Sequence, residues 1–172
     1  MSNKTLVNIE MKDKTLMEVL HNSAYKEAQN AYDHNSNLLS GLCVSVCEHD
    51  PMKAFDYYNQ LDFDNKNKFS MHFLNWILLN IDENEEDIFI EKLKSEIISS
   101  VEYSKDIVLG ESCDDNKYVQ DLIHQYQKII DLVNAKKQEE AIKVYQGLDT
   151  FDRHILPDTL RLWLFNITFS NH

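Results

Sequence analysis

The chain has 172 residues, 43% of them apolar, and a formal net charge of −12. This apolar content is above the range of disordered chains, and on folding a chain of this length buries roughly 70% of its unfolded surface. Apolar runs such as residues 76–79 are too short to span a bilayer. Only three Gly and two Pro are present, too few for the turns of a sandwich or barrel, so we predict a soluble all-α fold with no membrane partner.

The first half of the sequence predicts four helices. Apolar spacing predicts the first helix, and either Ser36 or Asn37 caps the second. Asp50 is the predicted cap of a short third helix that Pro51 opens, and Asp64 is the predicted cap of the fourth. The predicted spans are residues 14–32, 37–49, 51–61 and 65–81.

The second half of the sequence also predicts four helices, and Gly147 and Pro157 mark breaks between them. The last helix starts at either Asp152 or Asp158 and continues to Phe169. The four predicted spans are residues 87–108, 118–134, 138–146 and 152–169 or 158–169. Near the start of the sequence, a short strand within residues 4–11 is an alternative to a purely helical fold.

An internal repeat connects the two halves. It covers residues 54–81 and 141–167, with an offset of 87 residues. We predict two duplicated multi-helix halves, residues 1–81 and 82–172, with about eight helices in one compact unit. We interpret the repeated residues as core packing between helices. They are Ala54, Tyr58, Leu61, Asp62 and Trp76 in the first copy, and Ala141, Tyr145, Leu148, Asp149 and Trp163 in the second.

The Ala-x3-Tyr helix of each copy resembles the second helix of a tetratricopeptide repeat, in which a small residue lets helices approach and an aromatic one fills the next groove. The period here is 87 residues instead of about 34, and the Trp-Leu-Gly-Tyr signature of that family is absent. The resemblance therefore implies only helical hairpins that stack. An adaptor of this kind would bind a peptide between hairpins through Tyr57, Tyr58 or Tyr145.

Most of the negative charge lies in residues 82–115, which hold twelve acids and three Lys. Because Coulomb attraction grows with summed charge and phosphate binding needs cations, we expect a basic protein as partner and no direct binding to nucleic acid. The candidate partner-binding residues are Asp82, Glu83, Glu85, Glu86, Asp87, Glu91, Asp114 and Asp115.

Two interpretations of this charge stay open. Acids at residues 83–87 stabilise the positive end of the helix that follows, each by about 0.3–1 kcal/mol, and help solubility. Alternatively, the acidic helix imitates a nucleic-acid backbone. Small acidic proteins without catalytic motifs, such as this chain, resemble the DNA-mimic inhibitors of phages and the immunity proteins that neutralise nuclease toxins. That resemblance implies an inhibitor of a nucleic-acid-handling protein, such as a sliding clamp, a nuclease or a polymerase.

Two carboxylate and imidazole pairs have the spacing that di-iron helical bundles use. The pairs are Glu18-x2-His21 and Asp121-x2-His124. Such sites also need an inward-facing Glu on each of two other helices, and the sequence does not identify those residues. An enzyme or metal protein built on these pairs is a third hypothesis, beside the inhibitor and the adaptor.

Cys43 and Cys47 lie one helical turn apart, close to His49. Zinc sites use Cys pairs two to four residues apart on separate loops, and only Cys113 remains to complete one. We interpret Cys43 and Cys47 as buried structural thiols and predict neither a metal nor a cofactor. Residues 1–5 have no features of a secretory signal and the Cys count is odd, so we expect a cytoplasmic protein.

Motifs for catalysis are absent from the sequence. It contains no glycine-rich phosphate loop, no His-Glu-x-x-His helix and no Gly-x-Ser-x-Gly elbow. Residues 60–63 resemble the start of the peptide by which bacterial proteins bind the sliding clamp, but that peptide ends in Leu-Phe, and the repeat already explains Leu61 and Asp62 as packing. We therefore predict a non-catalytic protein that occupies a partner's surface. The Asn-, Lys- and Ile-rich composition favours a low-GC bacterium or its phage, and a homodimer stays open.

Overall fold

The computed structural model describes residues 5–7, 14–32, 37–111 and 116–169. This part of the chain is helical apart from one pair of short strands, which confirms the all-α fold class. None of its helices is both long and apolar enough to cross a membrane. The helices are α1 (Lys14–Tyr32), α2 (Asn37–Cys47), α3 (Pro51–Asn59), α4 (Phe63–Lys66), α5 (Met71–Asn80), α6 (Glu86–Glu111), α7 (Lys117–Asn134), α8 (Gln138–Gly147), α9 (Thr150–His154) and α10 (Asp158–Arg161).

The cap of α3 is the predicted one, and the cap of the next predicted helix is not. The Asp50 side chain accepts a hydrogen bond from the Lys53 N–H at 3.2 Å, and Pro51 is the first residue of α3. The prediction that Asp64 caps one long fourth helix is wrong. Because Asp62 accepts the hydrogen bond from the Asn65 N–H at 2.8 Å, the short helix α4 forms there, and Ser70 caps α5 separately.

The predicted final helix is also interrupted. Asp149 caps α9 by accepting a hydrogen bond from the Asp152 N–H at 3.0 Å, and Pro157 precedes the separate helix α10. After α10 the backbone widens into a π-helical turn, Leu162–Asn166, instead of continuing as an α-helix to Phe169. The Gln138 side chain donates to the Trp163 carbonyl in that turn, so a tertiary contact satisfies a backbone group there.

Two distant segments form a small antiparallel pair. The strands are β1 (Thr5–Val7) and β2 (Ile167–Phe169), and Leu6 lies opposite Thr168. The strand that the sequence left open within residues 4–11 is therefore formed. Ile167 is 1% exposed, so the start of β2 belongs to the core.

The backbone hydrogen bonds of the two repeat copies match at the same offset of 87 residues. The Asp50 N–H donates to the Ser45 carbonyl at 2.9 Å, and the Lys137 N–H donates to the Leu132 carbonyl at 2.9 Å. The preceding residue has a positive φ in each copy, 56° at His49 and 57° at Lys136. Matching bonds continue from residue 44 to 73 and from 131 to 160. The common local structure thus begins ten residues before the sequence match, while duplication of the complete halves stays a prediction.

The interpretation of the repeated residues as core packing is confirmed for the apolar ones and is wrong for Asp62 and Asp149, which are exposed and cap α4 and α9. Each of the apolar residues is at most 8% exposed, and the two Trp side chains are among the largest fully buried ones. These residues are Ala54, Tyr58, Leu61 and Trp76 in the first copy, and Ala141, Tyr145, Leu148 and Trp163 in the second.

The chain divides into two compact units, and the division falls inside α6. Unit 1 consists of Met1–Phe89 with Asn166–His172, and unit 2 of Ile90–Phe165. Aromatic rings fill much of the core of unit 1. The ring centroids of Phe55 and Phe89 are 5.0 Å apart, and Phe73 continues the aromatic core.

The core of unit 2 contains a buried polar network as well as apolar side chains. The carboxylate of Glu96, on α6, accepts hydrogen bonds from the Ser100 hydroxyl at 2.9 Å and from the Thr159 hydroxyl at 2.9 Å. The Ser104 hydroxyl donates to the Ile155 carbonyl at 2.9 Å. Buried polar groups need such partners, so this network connects α6 to the segment around α10.

Candidate functional site

The acidic segment lies in the connection between α5 and α6. Ile81 leaves α5 in an extended conformation and is buried. A single 3-10 turn, Glu83–Glu85, follows, and the N–H of Glu85 donates to the carbonyl of Asp82 at 2.8 Å. Phe89, in the first turn of α6, is also buried. Buried residues on both sides therefore fix the position of residues 82–87, which we call the acidic turn.

The carboxylates of this turn differ in exposure. Asp82, Glu83 and Asp87 are exposed, whereas Glu85 and Glu86 are half-buried. Asp82 occupies the cap position of the 3-10 turn, but its side chain makes no capping hydrogen bond. At least three of the predicted partner-binding residues are thus accessible to another molecule.

Glu91 forms two ion pairs within the chain. Its carboxylate lies 3.1 Å from the ammonium of Lys94 and 3.0 Å from that of Lys136. The hydrogen bond from Lys136, followed by that from Lys94, lowers the pKa of Glu91. The carboxylate stays ionised, but its charge is largely compensated. Asp114 and Asp115, the last two predicted residues, lie outside the described part of the chain.

The charge density of the acidic turn is close to that of a nucleic acid. Five of the six residues from 82 to 87 are acids, and no Lys or Arg occurs between Lys68 and Lys92. With a rise of about 2.0 Å per residue in a 3-10 turn and about 1.5 Å in an α-helix, five charges occupy about 9 Å. This spacing of about 2 Å per charge lies between about 1.7 Å for duplex DNA and about 3.4 Å for one strand.

Within the described part of the chain, the carboxylate and imidazole pairs belong to no group of side chains that could hold a metal ion. The His21 Nε2 lies 3.0 Å from the Val46 carbonyl oxygen, and the His21 ring stacks on His49 with centroids 4.0 Å apart. Glu18, Asp121 and His124 are exposed. Among the described residues, no three His, Cys, Asp or Glu side chains form a group that could hold a metal ion.

The aromatic residues of the adaptor hypothesis take part in packing. Tyr58 is 4% exposed and Tyr145 is 8% exposed. Tyr57 is half-buried, and its ring lies so close to Gly41 that a Cβ there would come within 2.4 Å of it. Leu61, in the segment that resembles a clamp-binding peptide, is buried as well. Core packing therefore accounts for these side chains.

The prediction that both described cysteines are buried structural thiols is wrong. Cys43 is half-buried and Cys47 is exposed, and both are free thiols. The buried apolar residues of α2 are Leu39, Leu42 and Val46, which already have the spacing of one helix face, and Ser45 is buried beside them. Each Cys is the residue directly after one of these apolar residues, so its side chain is rotated away from the buried face. Cys43 lies at the edge of that face, and Cys47 lies in solvent.

A polar cluster in unit 2 was not predicted from the sequence. The Tyr118 hydroxyl donates to the Asp152 carboxylate and lies 3.3 Å from that of Asp149, and the Tyr126 hydroxyl donates to the Asp152 carbonyl. Burial raises the pKa of Asp152, while the hydrogen bond from the Asp152 N–H lowers the pKa of Asp149. The hydrogen bond to Asp152 raises the pKa of Tyr118. Of these residues, only Asp149 stands out in the sequence, as a member of the internal repeat.

Comparison of the chain with protein-family models, with curated proteins and with solved structures found no match. The class that the fold and the acidic turn define is an all-α protein with a concentrated, exposed negative charge.

Proposed function

We propose that the chain is a non-catalytic inhibitor that presents its acidic turn, residues 82–87, to the basic nucleic-acid-binding surface of another protein. The observation that supports this proposal is the local charge: five of these six residues are acids, and three of the acids are exposed. No Lys or Arg occurs in the sequence from residue 69 to 91. A sliding clamp, a nuclease or a polymerase has a positively charged surface that binds nucleic acid, as the proposal requires. Such an inhibitor of a bacterial or phage system would act in the cytoplasm.

The proposed mechanism is competition for cations. Lys and Arg side chains that neutralise phosphates attract any surface of similar charge density, and the acidic turn supplies about one charge per 2 Å. Because buried Ile81 and Phe89 fix the turn, little conformational entropy is lost when it binds. Nucleic acid and inhibitor then exclude each other, because both need the same basic groups.

The structural interpretation of the charge makes a different prediction. Acids in the first turn of α6 stabilise the helix dipole whether or not a partner exists. Under that interpretation, replacing them lowers stability and changes no interaction. Asp82 and Asp87 distinguish the two, because both are exposed and Asp82 caps nothing with its side chain.

The first experiment is capture of partners from a lysate of a low-GC bacterium at about 50 mM and about 500 mM salt, since screening shortens the reach of exposed charges over this range. We expect a nucleic-acid-handling protein that binds at low salt, is released at high salt and is displaced by added duplex DNA. Capture that DNA does not displace would contradict the proposal.

The second experiment tests the turn itself with that partner. The Asp82→Asn/Asp87→Asn variant should bind at least about tenfold more slowly, because rim charges act mainly on the association rate. The matched control is Glu139→Gln/Glu140→Gln, which removes two exposed acids from the first turn of α8. Equal losses in the two variants would show that only net charge matters, and no loss in either would remove the proposal.

The adaptor hypothesis has less support from the structure. A peptide-binding groove needs accessible aromatic side chains, and Tyr58 and Tyr145 are buried. Binding that persists at high salt and is lost on replacement of Tyr57 would favour the adaptor over the inhibitor.

A further inference from the structure

Cys43 and Cys47 are a pair of thiols that core packing does not explain. Structural Cys residues are among the most buried of all side chains, whereas Cys47 is exposed and Cys43 only half-buried. The inhibitor proposed above uses neither residue. Their position on α2 therefore needs another account.

The two thiols lie close together on one face of the helix. Residues four apart on an α-helix are neighbours, with Cβ atoms about 5–6 Å apart. The two thiols are close enough to affect each other: burial, followed by the neighbouring Cys47, raises the pKa of Cys43, and Cys47 also raises the pKa of Tyr25 of α1. This spacing on one helix places both sulfur atoms within reach of a single ion.

The surroundings of the pair favour a cation. No Lys or Arg occurs in the sequence between Lys26 and Lys53. Two exposed acids, Glu48 and Asp50, lie within three residues of Cys47. Negative charge near a thiol pair disfavours an additional anion and favours a positively charged ligand.

We propose that Cys43 and Cys47 form a binding site for one soft monovalent metal ion of the copper(I) class. Thiolates are the protein ligands that select copper(I), and two of them are brought together here on an accessible face. Zinc fits less well, because a structural zinc ion takes four ligands, and no group of three suitable side chains exists among the described residues. On binding, each thiol loses its proton to solvent and each sulfur donates a pair of electrons to the ion, so no redox step is needed.

The test is a titration of the reduced protein with copper(I) under anaerobic conditions, in competition with a copper(I) chelator. We expect one tightly bound ion per chain. Replacing either Cys43 or Cys47 by Ala should weaken binding by at least about tenfold, since losing a ligand costs no less than losing a group that supports one. Cys113→Ala is the control and should bind like the natural chain.

Three results would overturn the proposal. They are unchanged affinity in the Cys43→Ala/Cys47→Ala variant, a loss of affinity in Cys113→Ala equal to that in Cys47→Ala, and tighter binding of zinc(II) than of copper(I). Far-ultraviolet circular dichroism of each variant checks its helix content. Because Cys47 is exposed, Cys47→Ala keeps the test decisive even if Cys43→Ala lowers stability.

Discussion

Tyr118 joins two carboxylates whose ionisation responds to folding in opposite directions. Asp149 is exposed and receives hydrogen bonds from the backbone at the start of α9, whereas Asp152 is 4% exposed. The pKa of Asp149 is lowered by those hydrogen bonds, and the pKa of Asp152 is raised by burial. Each carboxylate therefore changes the stability of unit 2 in a different pH range.

For Asp149 we expect a contribution that disappears in acid. Because its folded pKa is below the unfolded value of about 3.9, the stabilisation is present above that value and is lost as the pH falls through the folded pKa. Asp149→Asn should lower the urea midpoint at pH 7, and the two proteins should converge in strong acid. A difference that is the same at both pH values would contradict the assignment.

For Asp152 we expect the opposite sign. Its folded pKa is raised, so stability is greatest with the carboxyl protonated and is lost as the pH rises through the folded pKa. Asp152→Asn keeps an oxygen that accepts from Tyr118 and cannot ionise. The variant should have a higher urea midpoint than the natural chain at pH 7, with a smaller difference near pH 4. A lower midpoint at pH 7 would show that the charge strengthens the Tyr118 contact by more than burial costs.

Gly41 allows the close approach of α2 and the Tyr57 ring. A Cβ at this position would lie 2.4 Å from that ring, so Gly41→Ala should destabilise the protein by about 1–2 kcal/mol, as other overpacked sites do. In a Tyr57→Ala background the same change should stabilise by about 1 kcal/mol, because Ala is the better helix former. Urea denaturation of the four proteins measures both effects, and a loss of stability in both backgrounds would mean that the ring is not the obstacle.

At the scale of elements, the two left-handed turn residues test whether the repeat copies share one backbone. His49 and Lys136 have φ values of 56° and 57°, a conformation that costs a residue with a Cβ about 1–2 kcal/mol. At both positions the Gly variant should be more stable than the Ala variant by about 1 kcal/mol. Comparing Gly with Ala removes the effect of the natural side chain at each site.

Lys128 provides the control for these turn variants. It is exposed within α7 and has the ordinary helical conformation, so Gly should be less stable than Ala there by about 1 kcal/mol. Thermal denaturation of the three pairs measures the differences. The same sign at Lys128 and Lys136 would exclude backbone strain as the cause.

Helices with distinctive ends could be predicted from the sequence. Asp50 and Pro51 together allow one position for the start of α3, and it is the observed one. Asp62 and Asp64 are chemically identical candidates two residues apart, and only the path of the chain selects Asp62 as the cap. The π-helical turn could not be predicted, because the contact from Gln138 that supports it depends on tertiary structure.

In the candidate site too, some features could be predicted from local sequence and others depend on tertiary structure. Local charge was sufficient to predict an acidic segment at residues 82–87, and the structure shows that Asp82, Glu83 and Asp87 of this segment are exposed. The neutralisation of Glu91 required knowledge of Lys136, which is 45 residues away in sequence. The exposure of Cys47 could have been predicted, because the spacing of Leu39, Leu42 and Val46 already indicates which face of α2 is buried.

At the scale of the whole molecule, β2 returns the chain to unit 1 after unit 2 is complete. Ile167 is its buried anchor, so Ile167→Ala should cost about 2–5 kcal/mol, in the range of other large-to-small core changes. Hydrogen exchange should become faster in α2 and α5 of unit 1. Leu160→Ala, a buried change in unit 2, is the control and should act first on α7 and α8. Identical exchange patterns would mean that the two units unfold as one.

The pairing of β1 with β2 also determines the order of events during synthesis. Residues 5–7 leave the ribosome early, but their partner strand follows only after the 76 residues of unit 2 have been translated. At about 5–20 residues per second, unit 1 waits about 4–15 s for its last segment. During that time the edge of β1 that later pairs with β2 is unpaired, so a nascent chain of this protein offers a chaperone a second strand edge that β2 covers in the folded chain.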